Sequence, residues 1–130
     1  KELKRQIGLA RAFVTNKGSN ATSLLQLLKA ERLSLKAKGS GLSTIRRTED
    51  VYAMAIVVAQ KASLTHYCAI ACEQAAEHFI RALGRVARNE PSPDMYALQT
   101  SLHDSICKYM AQAVQYYREW GCSVKVKDIQ

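Results

Sequence analysis

Proline and glycine are scarce in this chain, two and six residues among 130, so punctuation is thin and few loops are expected. Long apolar runs are missing too. The longest nearly unbroken one, Val51 to Ala59, is too short to span a bilayer. No signal-peptide pattern opens the sequence and it does not start with Met, which reads as a domain of a larger protein. Cysteine is sparse: Cys68, Cys72, Cys107 and Cys122 lack the density of a small secreted disulfide scaffold. A reducing, intracellular compartment, cytoplasmic or nuclear, is therefore expected. Acidic residues are nearly absent from the first third. Residues 1 to 47 carry eleven Lys or Arg against Glu2 and Glu31 alone, whereas residues 48 to 130 carry eight basic and nine acidic residues.

What is present is globular. Apolar residues make up 48% and charged residues 23%, a composition that sustains one domain with a real core. No internal repeat or low-complexity tract interrupts it. Leu3, Ile7, Ala10 and Val14 share a helical stripe over residues 2–15. The run from Asn16 to Asn20 reads as a turn, with Thr22 or Ser23 capping a second helix to about Ala37. There Leu24, Leu28 and Leu35 are expected to face inward, with Lys29, Arg32 and Lys36 beside them. Gly39-Ser40-Gly41 is read as a hinge. Thr48-Glu49-Asp50 suits a helix N-terminus, followed by an apolar segment, Val51 to Ala59, expected to be buried all round. A break is placed near Ser63 to Thr65, then a helix over 67–88 with Ile70, Ala71, Ala75, Phe79, Ala82 and Val86 inward. Ser92-Pro93-Asp94 is a strong helix start. The last helix then runs to Trp120 along a seam of Met95, Leu98, Leu102, Ile106, Tyr109, Ala113, Tyr117 and Trp120.

The expected fold is thus an all-α bundle of about five helices, with a long C-terminal helix and a short extended tail. It is one domain over 1–130: a basic helical hairpin 1–38, a hinge 39–41, a bundle 42–120 and a tail 121–130.

Chemistry-bearing patterns are weak. Gly39-Ser40-Gly41 lacks the Lys-Ser/Thr of a phosphate-binding loop, and no Gly-x-Ser-x-Gly elbow occurs. Cys68 and Cys72, like His103 and Cys107, lie four residues apart. The two pairs would make a tetrahedral zinc set only if their helix faces met. Free Cys more commonly packs as a small hydrophobe, and no short CxxC knuckle is present. No catalytic residue, metal or cofactor is therefore assigned, and the chain is not expected to be an enzyme.

Two resemblances accompany this reading. Gln74-Ala75-Ala76-Glu77-His78-Phe79-Ile80-Arg81-Ala82-Leu83 resembles the helix of HEPN domains that carries a Gln-Ala-Ala-Glu-Lys run. Many members of that family are RNases with an Arg-x4–6-His motif, and none of the three His here has an Arg at that distance upstream. Ser40-Gly41 followed by Arg47-Thr48-Glu49-Asp50 is similar to the start of the core domain of pneumovirus transcription processivity factors, which implies RNA binding. That family's N-terminal zinc motif is absent here, and no site residue is carried over from either.

The basic third therefore carries the functional expectation. Arg11, Lys29, Arg32, Lys36, Arg46 and Arg47 form a field that concentrates acidic partners without choosing among them. Phe13 is the only aromatic residue of that region, so stacking on bases has no obvious platform. The leading expectation is a non-enzymatic interaction or assembly domain that docks an acidic or amphipathic-helix segment of a partner protein. The alternative is an RNA- or DNA-binding domain contacting the phosphate backbone through the same cations. Tyr109, Tyr116 and Trp120 are the second candidate surface, because aromatics with polar tips suit interfaces. Tyr117 and Trp120 are also candidates to seal the end of the bundle, and Tyr116 is expected to be exposed. Self-association through the long last seam is a further possibility.

Overall fold

The structure, a computed structural model, describes residues 19–36, 42–86 and 93–121 of the chain. Among these residues it is all-helical, with four helices: α1 (Ser19–Lys36), α2 (Leu42–Lys61), α3 (Thr65–Val86) and α4 (Pro93–Trp120). The helix expected over 2–15, the hinge at 39–41, the tail and Arg11 lie outside the described residues. No helix among the described residues is long and apolar enough to cross a membrane.

α1 already runs from Ser19, so Thr22 and Ser23 lie inside it rather than capping it. Its buried face also differs from the expected stripe. Leu25, Leu27, Ala30 and Ser34 point inward, while Leu24 and Leu28 are half-buried and Leu35 is exposed. Small residues at positions 23, 30 and 34 let the backbone approach its neighbours, and Ser34 has polar partners inside.

α2 starts at Leu42, a turn and a half ahead of the expected Thr48. The Thr48 hydroxyl donates to the Thr44 carbonyl one turn back at 3.0 Å, as Thr does within a helix. The early turns are held by tertiary contact, because Ile45 is fully buried and Arg46 reaches α4. Nor is Val51 to Ala59 buried all round. Tyr52, Ala55, Ile56 and Ala59 face the core, whereas Met54 and Val57 are exposed. Among the described residues α2 is an outer helix, covered on one side.

α2 ends without a glycine. The Leu64 N–H donates to the Ala59 carbonyl at 2.9 Å and the Ser63 N–H to Gln60 at 3.0 Å. That is the paired bonding of a Schellman C-cap, and Ser63 takes the left-handed conformation, φ 57°. The break thus falls where the sequence suggested, and α3 begins two residues earlier than expected.

α3 packs against all three other helices. Ala69, Ala71, Cys72, Ala75, Ala76, Phe79, Ala82 and Val86 form its buried side, with Ile70 at the margin. α4 crosses this surface through Leu102, Tyr109, Ala113 and Tyr117, flanked by half-buried Met95, Leu98 and Ile106. It opens at Pro93 as expected and closes at Gly121, whose φ of 89° a residue with a Cβ rarely adopts. The seam ends one turn short of the expected length: Trp120 is exposed.

A candidate docking groove between two helices

Seen down α1, helical geometry places Gln26, Lys29, Leu33 and Lys36 on one stripe, with Arg32 on its flank. α2 runs antiparallel beside it. Glu31 pairs with Tyr52 of α2, and Ser34 reaches His78 on the ring edge opposite Ile45. Val51 therefore faces the α1 stripe. Gln26, Lys29, Arg32, Leu33, Lys36 and Val51 together line a groove of about 490 Å³. Three of the six sequence-predicted cations thus converge on one concavity whose apolar surface is Leu33 and Val51, and no acidic side chain among the described residues lines it. The Arg32 Nε is buried and has no hydrogen-bond partner among the described residues. Arg47 is exposed one turn ahead of Val51 on α2.

Arg46 does something else. Its Nη1 donates to Glu49 Oε1 and to Ser105 Oγ, both at 2.9 Å, and its Nη2 donates to Ser101 Oγ at 2.5 Å. The guanidinium also lies over the Phe79 ring, 5.3 Å from its centroid. It is a cross-link between α2, α3 and α4, half-exposed beside a cleft of about 410 Å³ that also takes in Asp104 and Lys108. Arg46, expected as a partner contact, is thus engaged inside the fold while 35% of its side chain stays exposed.

The aromatic surface is likewise rearranged. Tyr109 is buried, stacked on Phe79, and donates to Glu49 Oε2 at 2.8 Å, so it is a core residue and not a docking one. Tyr117 is buried and donates to Glu73. Tyr116, expected to be exposed, is half-buried, accepts a hydrogen bond from Gln60 and lines a smaller hollow at the α2–α3 turn. Trp120, expected to help seal the bundle, is exposed beside His66.

Beneath the groove a buried polar network fixes α1 to the rest. His78 has no exposed surface. Its Nε2 lies 3.2 Å from the Ile45 carbonyl, which only accepts, so Nε2 carries the proton. Nδ1 is then bare and accepts the Ser34 hydroxyl at 2.8 Å, while Arg81 donates to the same Ser34 oxygen at 2.6 Å. Burial, with Arg81 and Arg85 nearby, pushes the His78 pKa below its ordinary value against the opposing pull of Ile45 and Glu49. Burial, reinforced by the bond to Glu31, pushes the Tyr52 hydroxyl upward.

Among the described residues, Cys68 and Cys72 do not converge with Cys107 and His103. Cys68 and Cys72 are buried, with thiols near the Ile56 carbonyl and Gln112. Cys107 is exposed beside His103. Burial pushes the Cys72 pKa up to about 12, so its thiol stays protonated at neutral pH. No three His, Cys, Asp or Glu side chains among the described residues are grouped to hold a metal ion.

The sequence reading missed Leu33, Val51 and Gln26. The signal existed for two of them: Leu33 lies four residues after Lys29 and three before Lys36, and Gln26 three before Lys29, all on one stripe. Val51 carried no such signal, because its place depends on how α1 and α2 pair. No family model, curated protein or solved structure matches this chain.

Proposed function

We propose that this chain is a non-enzymatic helical docking domain that binds an acidic protein partner on the face shared by α1 and α2. The observation that supports this most is the coincidence of three cations, Lys29, Arg32 and Lys36, with apolar Leu33 and Val51 in one groove. Cations alone would suit any polyanion. An apolar surface between them rewards a ligand that brings both carboxylates and hydrocarbon, which a protein segment does and a phosphate backbone does not. The field of the chain, a net +8, steers such a partner and fixes its orientation.

The test compares an acidic, leucine-containing peptide with labelled single- and double-stranded oligonucleotides by fluorescence anisotropy, at low and near-physiological salt. The protein is used as wild type and with Lys29, Arg32 and Lys36 all changed to Glu. The docking reading expects peptide binding that persists at physiological salt and is lost in the variant. Oligonucleotide binding that survives physiological salt and disappears in the variant, with no peptide binding, would transfer the groove to RNA or DNA.

A further inference from the structure

Resting on that docking reading, we infer that the occupant of the groove is an acidic amphipathic α-helix of a partner protein, lying along α1 and α2 as an additional helix of the bundle. The argument starts from the shape of the exposed surface. On α1 the stripe runs Gln26, Lys29, Leu33, Lys36; on α2 the residues at matching helical steps are Arg47, Val51, Met54 and Val58. Met54 is 52% and Leu33 42% exposed, and Val51 and Val58 are half-buried. Two antiparallel helices thus leave parallel, partly apolar stripes facing outward with a channel between them. From Gln26 to Lys36 the α1 stripe advances ten residue steps, about 15 Å at 1.5 Å per step. That is about three turns of a helix laid alongside.

The volume fixes how the occupant sits. About 490 Å³ takes a few side chains and not a helix backbone, so the guest lies on the channel and inserts one face. Lys29, Arg32 and Lys36 stand at i, i+3 and i+7, the same steps that place residues on one face of a partner helix. Carboxylates at those spacings meet all three cations, while adjacent Leu, Ile or Met residues cover Leu33, Val51 and Met54. Asp50, the nearest acid on α2, is exposed about 100° round the helix from Val51 and discourages a basic occupant on that flank. A second copy of this chain is a poor occupant: it would bring a net +8 against another +8.

A free helix of three turns is marginal in water, so the guest folds as it binds, and that is measurable. The probes are fluorescein-labelled, end-capped peptides of fourteen residues with Glu at helical spacing and an adjoining Leu/Ile stripe, made with the acidic stripe on either side of the apolar one. Controls are scrambled peptides of identical composition without helical period and a single-stranded RNA of twelve nucleotides. One patterned peptide is expected to bind at least about tenfold tighter than its scramble, a difference of about 1.4 kcal/mol, and to gain helical circular dichroism on binding. Leu33→Gln should weaken the patterned peptide and leave the scramble unchanged, and Lys29→Glu should weaken both. Equal binding of patterned and scrambled peptides overturns the helix while leaving acidic docking intact. Binding of the RNA with none of either peptide class overturns both, as does the absence of any binding.

Discussion

Arg46 joins three helices through one guanidinium, with bonds to Glu49, Ser101 and Ser105 and the face of Phe79 beneath it. Hydrogen bonds to a charged group contribute about 1.5–3 kcal/mol, and an unpaired partner adds to the loss. Arg46→Ala should therefore destabilise by about 2 kcal/mol in urea unfolding. Arg46→Lys should recover little of that, since an ammonium lacks the planar fork, and Arg47→Ala, on the next and exposed residue, should leave the midpoint where it is. Nothing in the sequence separates these neighbours. Ser101 and Ser105 lie more than fifty residues away, and only the pairing of α2 with α4 brings them to position 46. His78 makes a different prediction. Its folded pKa is lowered relative to the ordinary 6.5, so the unfolded chain binds the proton more readily. The stability His78 contributes is fully present above about pH 6.5 and is lost as pH falls below it. The urea midpoint of the wild type should fall more between pH 7 and pH 5 than that of His78→Gln, whose amide can donate to Ile45 and accept from Ser34 without titrating. Parallel pH dependence in the two proteins would remove His78 from the account.

At the scale of helices the ends are set by local chemistry, and this is where the sequence was most legible. Pro93 after Ser92 marked the start of α4 and Gly121 its end, while the α2–α3 break near Ser63 followed from the improbable length of an unbroken helix to Arg88. What was missed has a tertiary cause: α2 extends six residues ahead of its best capping signal because Ile45 and Arg46 find partners on other helices. Two positions test the local part. Ser63 sits at φ 57° in the C-cap of α2, a conformation that costs a residue with a Cβ roughly 1 kcal/mol. Ser63→Gly should raise the thermal midpoint, by an amount reduced by the extra entropy of Gly in the unfolded chain. Gly84 is the reverse case. It lies within α3, is exposed, and an added Cβ there meets nothing within 4 Å. Gly84→Ala should therefore stabilise by about 0.5–1 kcal/mol, read from the same melting curves.

For the molecule as a whole, the all-helical class followed from sparse glycine and proline together with recurring three-and-four spacing. The groove did not, because it belongs to two helices at once and its apolar lining, Leu33 and Val51, looks like core in a one-dimensional pattern. The charge asymmetry was visible, and it has a bulk consequence. Eleven cations in the first 47 residues repel one another over about 10 Å at 0.1 M salt. Moderate sodium chloride should therefore raise the thermal midpoint before any effect of ion identity enters, whereas a flat or falling midpoint would mean that this repulsion is already relieved within the fold. The interior imposes a limit of another kind. Ala69, Ala71, Ala75, Ala76 and Ala82 are all buried on α3, so at these positions its neighbours close on side chains of a single methyl. Such a centre has little side chain to lose and almost no room to gain any. Ala75→Leu, a more hydrophobic residue at a wholly interior position, should cost about 1–3 kcal/mol through crowding alone. Substitutions along this face of the helix are filtered by size and hardly by greasiness, so it has little freedom to shrink and none to grow.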